Sequence, residues 1–143
     1  MTKPDPVPRI VLDTNVLFAG LYSSSGQSHR LLRAILDGRV RITLSTPLLF
    51  EYEDVLKRNQ AVLGLSDVEI NVILDNLCVV ADLQAIYFLW RPCLPDAKDD
   101  MVLELAVAAK VPHIVSFNAK DFRPASGFGI AVITPKNLLE TLP

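Results

Sequence analysis

The run Arg9-Ile-Val-Leu-Asp13 is apolar at three consecutive positions and ends in an acid. A strand with one wet face alternates apolar and polar residues, so an unbroken apolar run marks a strand covered on both faces. Similar short runs recur at Val40 to Leu44, His113 to Ser116 and Ile130 to Ile133. Between them lie helical patterns. Leu31, Leu32, Ile35 and Leu36 keep helical spacing, and Gly38 sits where a helix commonly stops in the left-handed conformation. Thr46-Pro47 predicts a helix through about Arg58, with Thr46 as the cap. Ser66 and Glu69 have capping-box spacing, and open a helix whose apolar positions include Val68, Val72, Ile73 and Leu77. A short strand is expected near Ile86 to Leu89. Asp99 to Lys110 reads as a nearly all-apolar helix, and Thr134-Pro135 starts a terminal one. Strands alternating with helices predict a three-layer α/β/α domain around a central, mainly parallel, Rossmann-like sheet.

A chain of 143 residues has room for one such core. Pro4, Pro6 and Pro8 set residues 1–8 apart as an unpaired arm before a single domain spanning 9–143. No apolar run is long enough for a membrane span and the first residues do not resemble a signal peptide, so a cytoplasmic location is expected. Cys78 and Cys93, with His29 and His113, are too few and too scattered for a zinc site or a disulfide framework.

In a parallel sheet the functional crevice lies beyond the carboxyl ends of the strands. The residues there are Asp13-Thr14-Asn15 after the first strand, and Asn118 and Asp121 after the strand ending at Ser116. Turn chemistry alone would explain Asn and Asp at strand ends. Asp13 asks for more, because it stands between two apolar stretches, and a desolvated carboxylate needs a partner or a cation. A phosphate loop is excluded by the lack of G-x-G-x-x-G or G-x-x-x-x-G-K, and a serine elbow by the lack of G-x-S-x-G. A phosphatase with a nucleophilic Asp13 would expect a second Asp where Asn15 stands.

Other acids come from separate parts of the chain. Glu51 and Glu53 flank the apolar arc of Leu48, Leu49, Tyr52, Val55 and Leu56, and helix geometry leaves the choice between them open. Asp96, Asp99 and Asp100 crowd one helix start, with Glu104 a turn later, where acids also complement the helix dipole. Carboxylates without Cys or His select Mg²⁺ or Mn²⁺, and such clusters suit phosphodiester hydrolysis.

Four blocks in order, Val11-Leu-Asp13-Thr-Asn15-Val-Leu17, Ser45 to Arg58, Asp99 to Ala106 and His113 to Phe122, resemble the PIN domain, whose members include VapC-type toxins of toxin–antitoxin systems. The resemblance implies a PIN-like fold and a Mg²⁺- or Mn²⁺-dependent endoribonuclease acting on RNA, with an antitoxin partner and a homodimer. By position it implies Asp13, Glu51 and Asp100 as the first three acids, with Asp99 beside the third and Asp121 in the fourth role. Thr14, Asn15, Ser116 and Asn118 fall on the polar positions that orient substrate. Asn118 stands where many relatives carry Asp, so a catalytically silent RNA- or protein-binding module is the alternative. The net charge of −2 speaks against a nucleic-acid protein only as a total. Arg9, Arg30, Arg33, Arg39, Arg41, Lys57 and Arg58 are the cations available to guide an RNA backbone, and Phe50, off the apolar arc, is a candidate interface residue.

Overall fold

The computed structural model describes residues 7–86 and 97–143. Five strands form one sheet: β1 (Arg9–Leu12), β2 (Arg41–Leu44), β3 (Asp82–Leu83), β4 (His113–Val115) and β5 (Ala131–Ile133), in the order β3-β2-β1-β4-β5. Every pairing is parallel, and β1 sits in register with both neighbours, Ile10 against Ile42 on one side and His113 on the other. The runs of β1, β2 and β4 are covered as their composition requires, whereas β5, at the sheet edge, is only partly buried. Ile10, Val11, Leu12, Ile42, Leu44, Ile114 and Val115 are all buried.

The helices are α1 (Thr14–Tyr22), α2 (Gln27–Leu36), α3 (Thr46–Arg58), α4 (Gln60–Leu63), α5 (Asp67–Val80), α6 (Ala97–Ala108) and α7 (Pro135–Glu140), with a 3-10 segment at Ala119–Phe128. Right-handed crossovers put the β1-to-β3 connections on one face and the β3-to-β4 return on the other. The packing agrees: α2 lies against α1, α5 and α7, while α6 lies against β1, β2, β4 and the 3-10 segment. The result is a three-layer α/β/α domain.

Three local expectations are corrected. Ser45, not Thr46, caps α3: its backbone is extended and its Oγ accepts from the Leu48 N–H at 3.3 Å, leaving Pro47 in the first turn, where no N–H is needed. The capping box at Ser66 and Glu69 is formed in both directions. It starts α5 in a phase that buries Ile70, Leu74 and Leu77 and leaves Val68 and Val72 exposed. The strand expected near Ile86 to Leu89 is displaced: β3 is Asp82–Leu83, Ile86 is not in a strand, and 87–89 lie outside the described residues. No apolar run marks β3; it pairs with β2 through its backbone, and the Gln84 N–H donates to the Leu44 carbonyl at 2.8 Å, with an ion pair alongside. Asp82 receives two hydrogen bonds from the Arg41 guanidinium, at 2.5 and 3.1 Å, and lies 3.8 Å from Arg9. The bonds from Arg41 hold the Asp82 carboxyl below its usual range.

Two contacts fix the helices that frame the carboxyl edge. The buried Tyr52 hydroxyl of α3 donates to the Leu12 carbonyl at the end of β1. Gly20 lets α1 and α2 cross closely: a Cβ there would lie 2.6 Å from Leu32 Cδ1 and 3.0 Å from the Ser28 carbonyl oxygen. Although alanine is the better helix former by roughly 1 kcal/mol, Gly20→Ala should therefore destabilise the fold. Urea unfolding checks this; a raised midpoint would show that α1 and α2 separate without cost. Tyr52→Phe should lose about 1–3 kcal/mol, the penalty for a buried carbonyl left without its donor, measured the same way.

Candidate active site

The chain order changes direction at β1. The connection from β1 leads to β2 on one side, and the return from β3 brings β4 to the other, so β1 and β4 border the switch point of the sheet. Asp13 follows β1 there and Ser116 follows β4. They meet: Ser116 Oγ donates to Asp13 Oδ2 at 2.6 Å, and the Thr14 N–H donates to Asp13 Oδ1 at 2.8 Å. The Asp13 N–H in turn donates to the Val115 carbonyl at 3.0 Å, extending the β1–β4 pairing by one residue. Asp13 is 8% exposed and Ser116 1%. A carboxylate this buried needs donors to stay charged, and both of its oxygens have one.

Ser116 is held from the other side. Its Oγ accepts from the Asn118 N–H at 3.0 Å, which turns the chain out of β4 and fixes the hydroxyl toward Asp13. Tyr52 supports the same place from α3. Burial, with the nearby Asp13 charge, pushes its phenol well above the usual tyrosine range, so it stays a neutral donor to Leu12. The sequence reading placed Tyr52 only in an apolar arc. The signal was present nonetheless, since a tyrosine in a buried arc brings a hydroxyl that must find a partner.

Asn15, in the first turn of α1, carries a buried Oδ1 that has no hydrogen-bond partner among the described residues. A buried acceptor without a partner suits a donor or a cation from a ligand. The two α3 glutamates separate. Glu53 lies 3.6 Å from Lys57 and lines a groove with Asn71, Leu74 and Asp75 of α5. Glu51, half-buried, lies about 200° round the helix from it.

Asp99 and Asp100 are half-buried in the first turn of α6, and Glu104 is half-buried one turn on. Because α6 returns the chain to the start of β4, its first turn lies toward the carboxyl edge. Asp96 is outside the described residues. Asp121 is half-buried in the first turn of the 3-10 segment, its N–H bonded to the Asn118 carbonyl at 3.0 Å, while Asn118 itself is exposed. Hydrogen bonds thus bring together Asp13, Thr14, Ser116 and Asn118. Glu51, Asp99, Asp100 and Asp121 arrive on separate elements, and among the described residues no three acids, histidines or cysteines are gathered around one point as a metal cage.

The cations expected to guide a phosphate backbone are mostly engaged elsewhere. Arg9 and Arg41 begin β1 and β2, at the edge opposite Asp13, and are tied to Asp82. Lys57 pairs with Glu53 and Asp67, and Arg58 with Asp54 at 2.9 Å. Only Arg30, Arg33 and Arg39 of that set keep no carboxylate partner among the described residues. The acidic edge itself therefore gains no phosphate affinity from Arg9, Arg41, Lys57 or Arg58.

The seam between β1 and β4 carries a stability prediction. Ser116→Ala removes a short bond to a charged group, and should lower the unfolding free energy by about 1.5–3 kcal/mol; an unchanged urea midpoint would show that the Asp13 carboxylate does not depend on Ser116.

The family model of the PIN domain matches residues 9–120, from the first residue of β1 to just past Asn118. No curated protein matches the chain. PIN domains are generally nucleases and typically use divalent metals. The matched span covers most of the chain, including β1, β2, β3 and β4, Asp13, Glu51, Asp100 and Ser116, and the chain belongs to the PIN domain family.

Proposed function

We propose that the chain is an endoribonuclease that depends on Mg²⁺ or Mn²⁺ and serves as the toxin of a toxin–antitoxin pair, as a cytoplasmic homodimer. The observation that carries the reading is the Asp13 carboxylate, buried at the switch point and oriented by Ser116 and Thr14. The residues fit a hard cation by their chemistry: the candidates are carboxylates, and Asn15, two residues after Asp13, carries a buried Oδ1 without a partner among the described residues. In this reading Asp13, Glu51 and Asp100 hold the ion, with Asp99 beside Asp100 and Asp121 as the fourth acid. When bound, the ion supplies an activated water at neutral pH and charge neutralisation for the phosphate.

The chain's own residues do the positioning. Ser116 and Thr14 keep both Asp13 oxygens in fixed directions, so the carboxylate does not reorganise when the substrate arrives. Asn15 and Asn118 offer amide groups to a phosphate or to its attacking water, Asn118 from the exposed rim of the crevice. No side-chain nucleophile takes part, and neither cysteine has a role. An antitoxin would act by covering this edge, with a cation set against the acids.

Asp13→Asn should retain the fold, because the amide oxygen still accepts from Ser116 or Thr14, and should lower cleavage of RNA by at least about 100-fold, the effect of removing a few kcal/mol of transition-state stabilisation. Full activity in that variant, or cleavage by the wild type in EDTA, would refute the mechanism. Asn118 favours one other reading, a silent PIN fold that binds RNA or protein without cutting it. Calorimetry with Mn²⁺ separates the two: the nuclease binds the ion and loses it in Asp13→Asn, whereas the silent module shows no heat at millimolar metal.

A further inference from the structure

Arg30, Arg33 and Arg39 line one surface cleft of about 360 Å³ between α2 and α7, together with Gln27, Asp37 and Leu139. Arg30 and Arg33 are exposed on the same side of α2, and Arg39 follows the left-handed Gly38 turn just before β2. Arg9, Arg41 and Arg58 each pair with a carboxylate. Arg30, Arg33 and Arg39 pair with none among the described residues, even though Asp37 lines the same cleft. Three guanidinium groups lining one cleft with a single carboxylate, Asp37, leave a net positive charge there, and an anion offsets it.

We propose that this cleft is a second RNA contact, binding the phosphate backbone of the substrate at a distance from the edge that bears Asp13. The proposal rests on the reading of the chain as an RNA-binding nuclease. It answers a question that reading leaves open: the carboxyl edge is acidic, four of the seven cations expected to help are engaged with carboxylates, and the remaining three are gathered here. Guanidinium forks match phosphate oxygens in pairs. The lining runs from Gln27 to Asp37 along α2, about 15 Å at 1.5 Å per residue, so it holds a stretch of backbone rather than a single phosphate. The contact reads charge and not sequence, and anchors RNA while another part of the same strand occupies the crevice.

The test is binding of a fluorescently labelled single-stranded RNA of about 20 nucleotides, followed by anisotropy across a salt series in EDTA. Three phosphate contacts contribute a slope of about 2 in log K against log salt, and so about 100-fold in affinity at 0.1 M salt. The triple variant Arg30→Gln, Arg33→Gln, Arg39→Gln should lose that much of both, with the melting temperature of the wild type. The triple lysine variant should keep the slope. Wild-type affinity and slope in the glutamine variant would overturn the proposal, as would a lysine variant as weak as the glutamine one. Polyglutamate binding that matches RNA in strength, and is lost in the glutamine variant, would reassign the cleft to an acidic protein partner and overturn it too. Cleavage is a separate readout. RNA that binds through the cleft and is never cut refutes the nuclease reading alone.

Discussion

The hydrogen bond between Ser116 and Asp13 joins residues 103 apart in sequence at the end of two neighbouring strands. Much of the fold serves to make that contact possible. The parallel register of β1 and β4 sets Leu12 against Val115, so the next residue on each strand reaches the carboxyl edge together. The Asp13 N–H closes the ladder onto the Val115 carbonyl, and the Thr14 N–H, at the start of α1, takes the other carboxylate oxygen. The cost of burying a carboxylate is offset by the donors at the helix start and on the facing hydroxyl, one to each oxygen. Tyr52 extends the arrangement to α3 by bonding the carbonyl immediately before Asp13.

The distribution of charge follows the same axis of the sheet. At the amino edge Asp82 lies between Arg9 and Arg41, in the two-residue β3 that pairs with β2. At the carboxyl edge Asp13 precedes α1 and Asp121 lies in the 3-10 segment that follows β4, while α6 opens with Asp99 and Asp100. Of the described arginines and lysines without an ion-pair partner, three gather on the α2 flank, while Lys120 and Arg123 stand beside Asp121 in the 3-10 segment. A net charge of −2 averages these regions away, which is why the total was a poor guide to whether such a chain handles nucleic acid.

Most of the architecture was legible because β1, β2, β4 and β5 announce themselves by short apolar runs and two helices by caps that formed as written, at Ser66 with Glu69 and at Thr134 with Pro135. What escaped was long-range. β3 is two residues stabilised by an ion pair across to Arg41, and no local pattern in Asp82–Leu83 encodes a partner 41 residues away. The exposure of Val68 and Val72 depended on which side of α5 meets its neighbours, and β-branched residues at helical spacing do not specify that. At the site, Asp13 stood out as an acid between apolar stretches, and Ser116 was readable as a polar residue at the end of the neighbouring strand. The engagement of Arg41 with Asp82 was not readable, because it depends on strand order. Glu53 was separable from Glu51 only once the groove between α3 and α5 was formed.

The account turns on whether the Asp13 carboxylate belongs to a divalent-cation site. Crystals soaked in Mn²⁺ and measured at its absorption edge answer this directly. The account predicts an anomalous peak at bonding distance from an Asp13 oxygen, with Asp100 or Asp99 and Glu51 completing the shell. A site empty at saturating Mn²⁺, or a peak held by other residues, would contradict it.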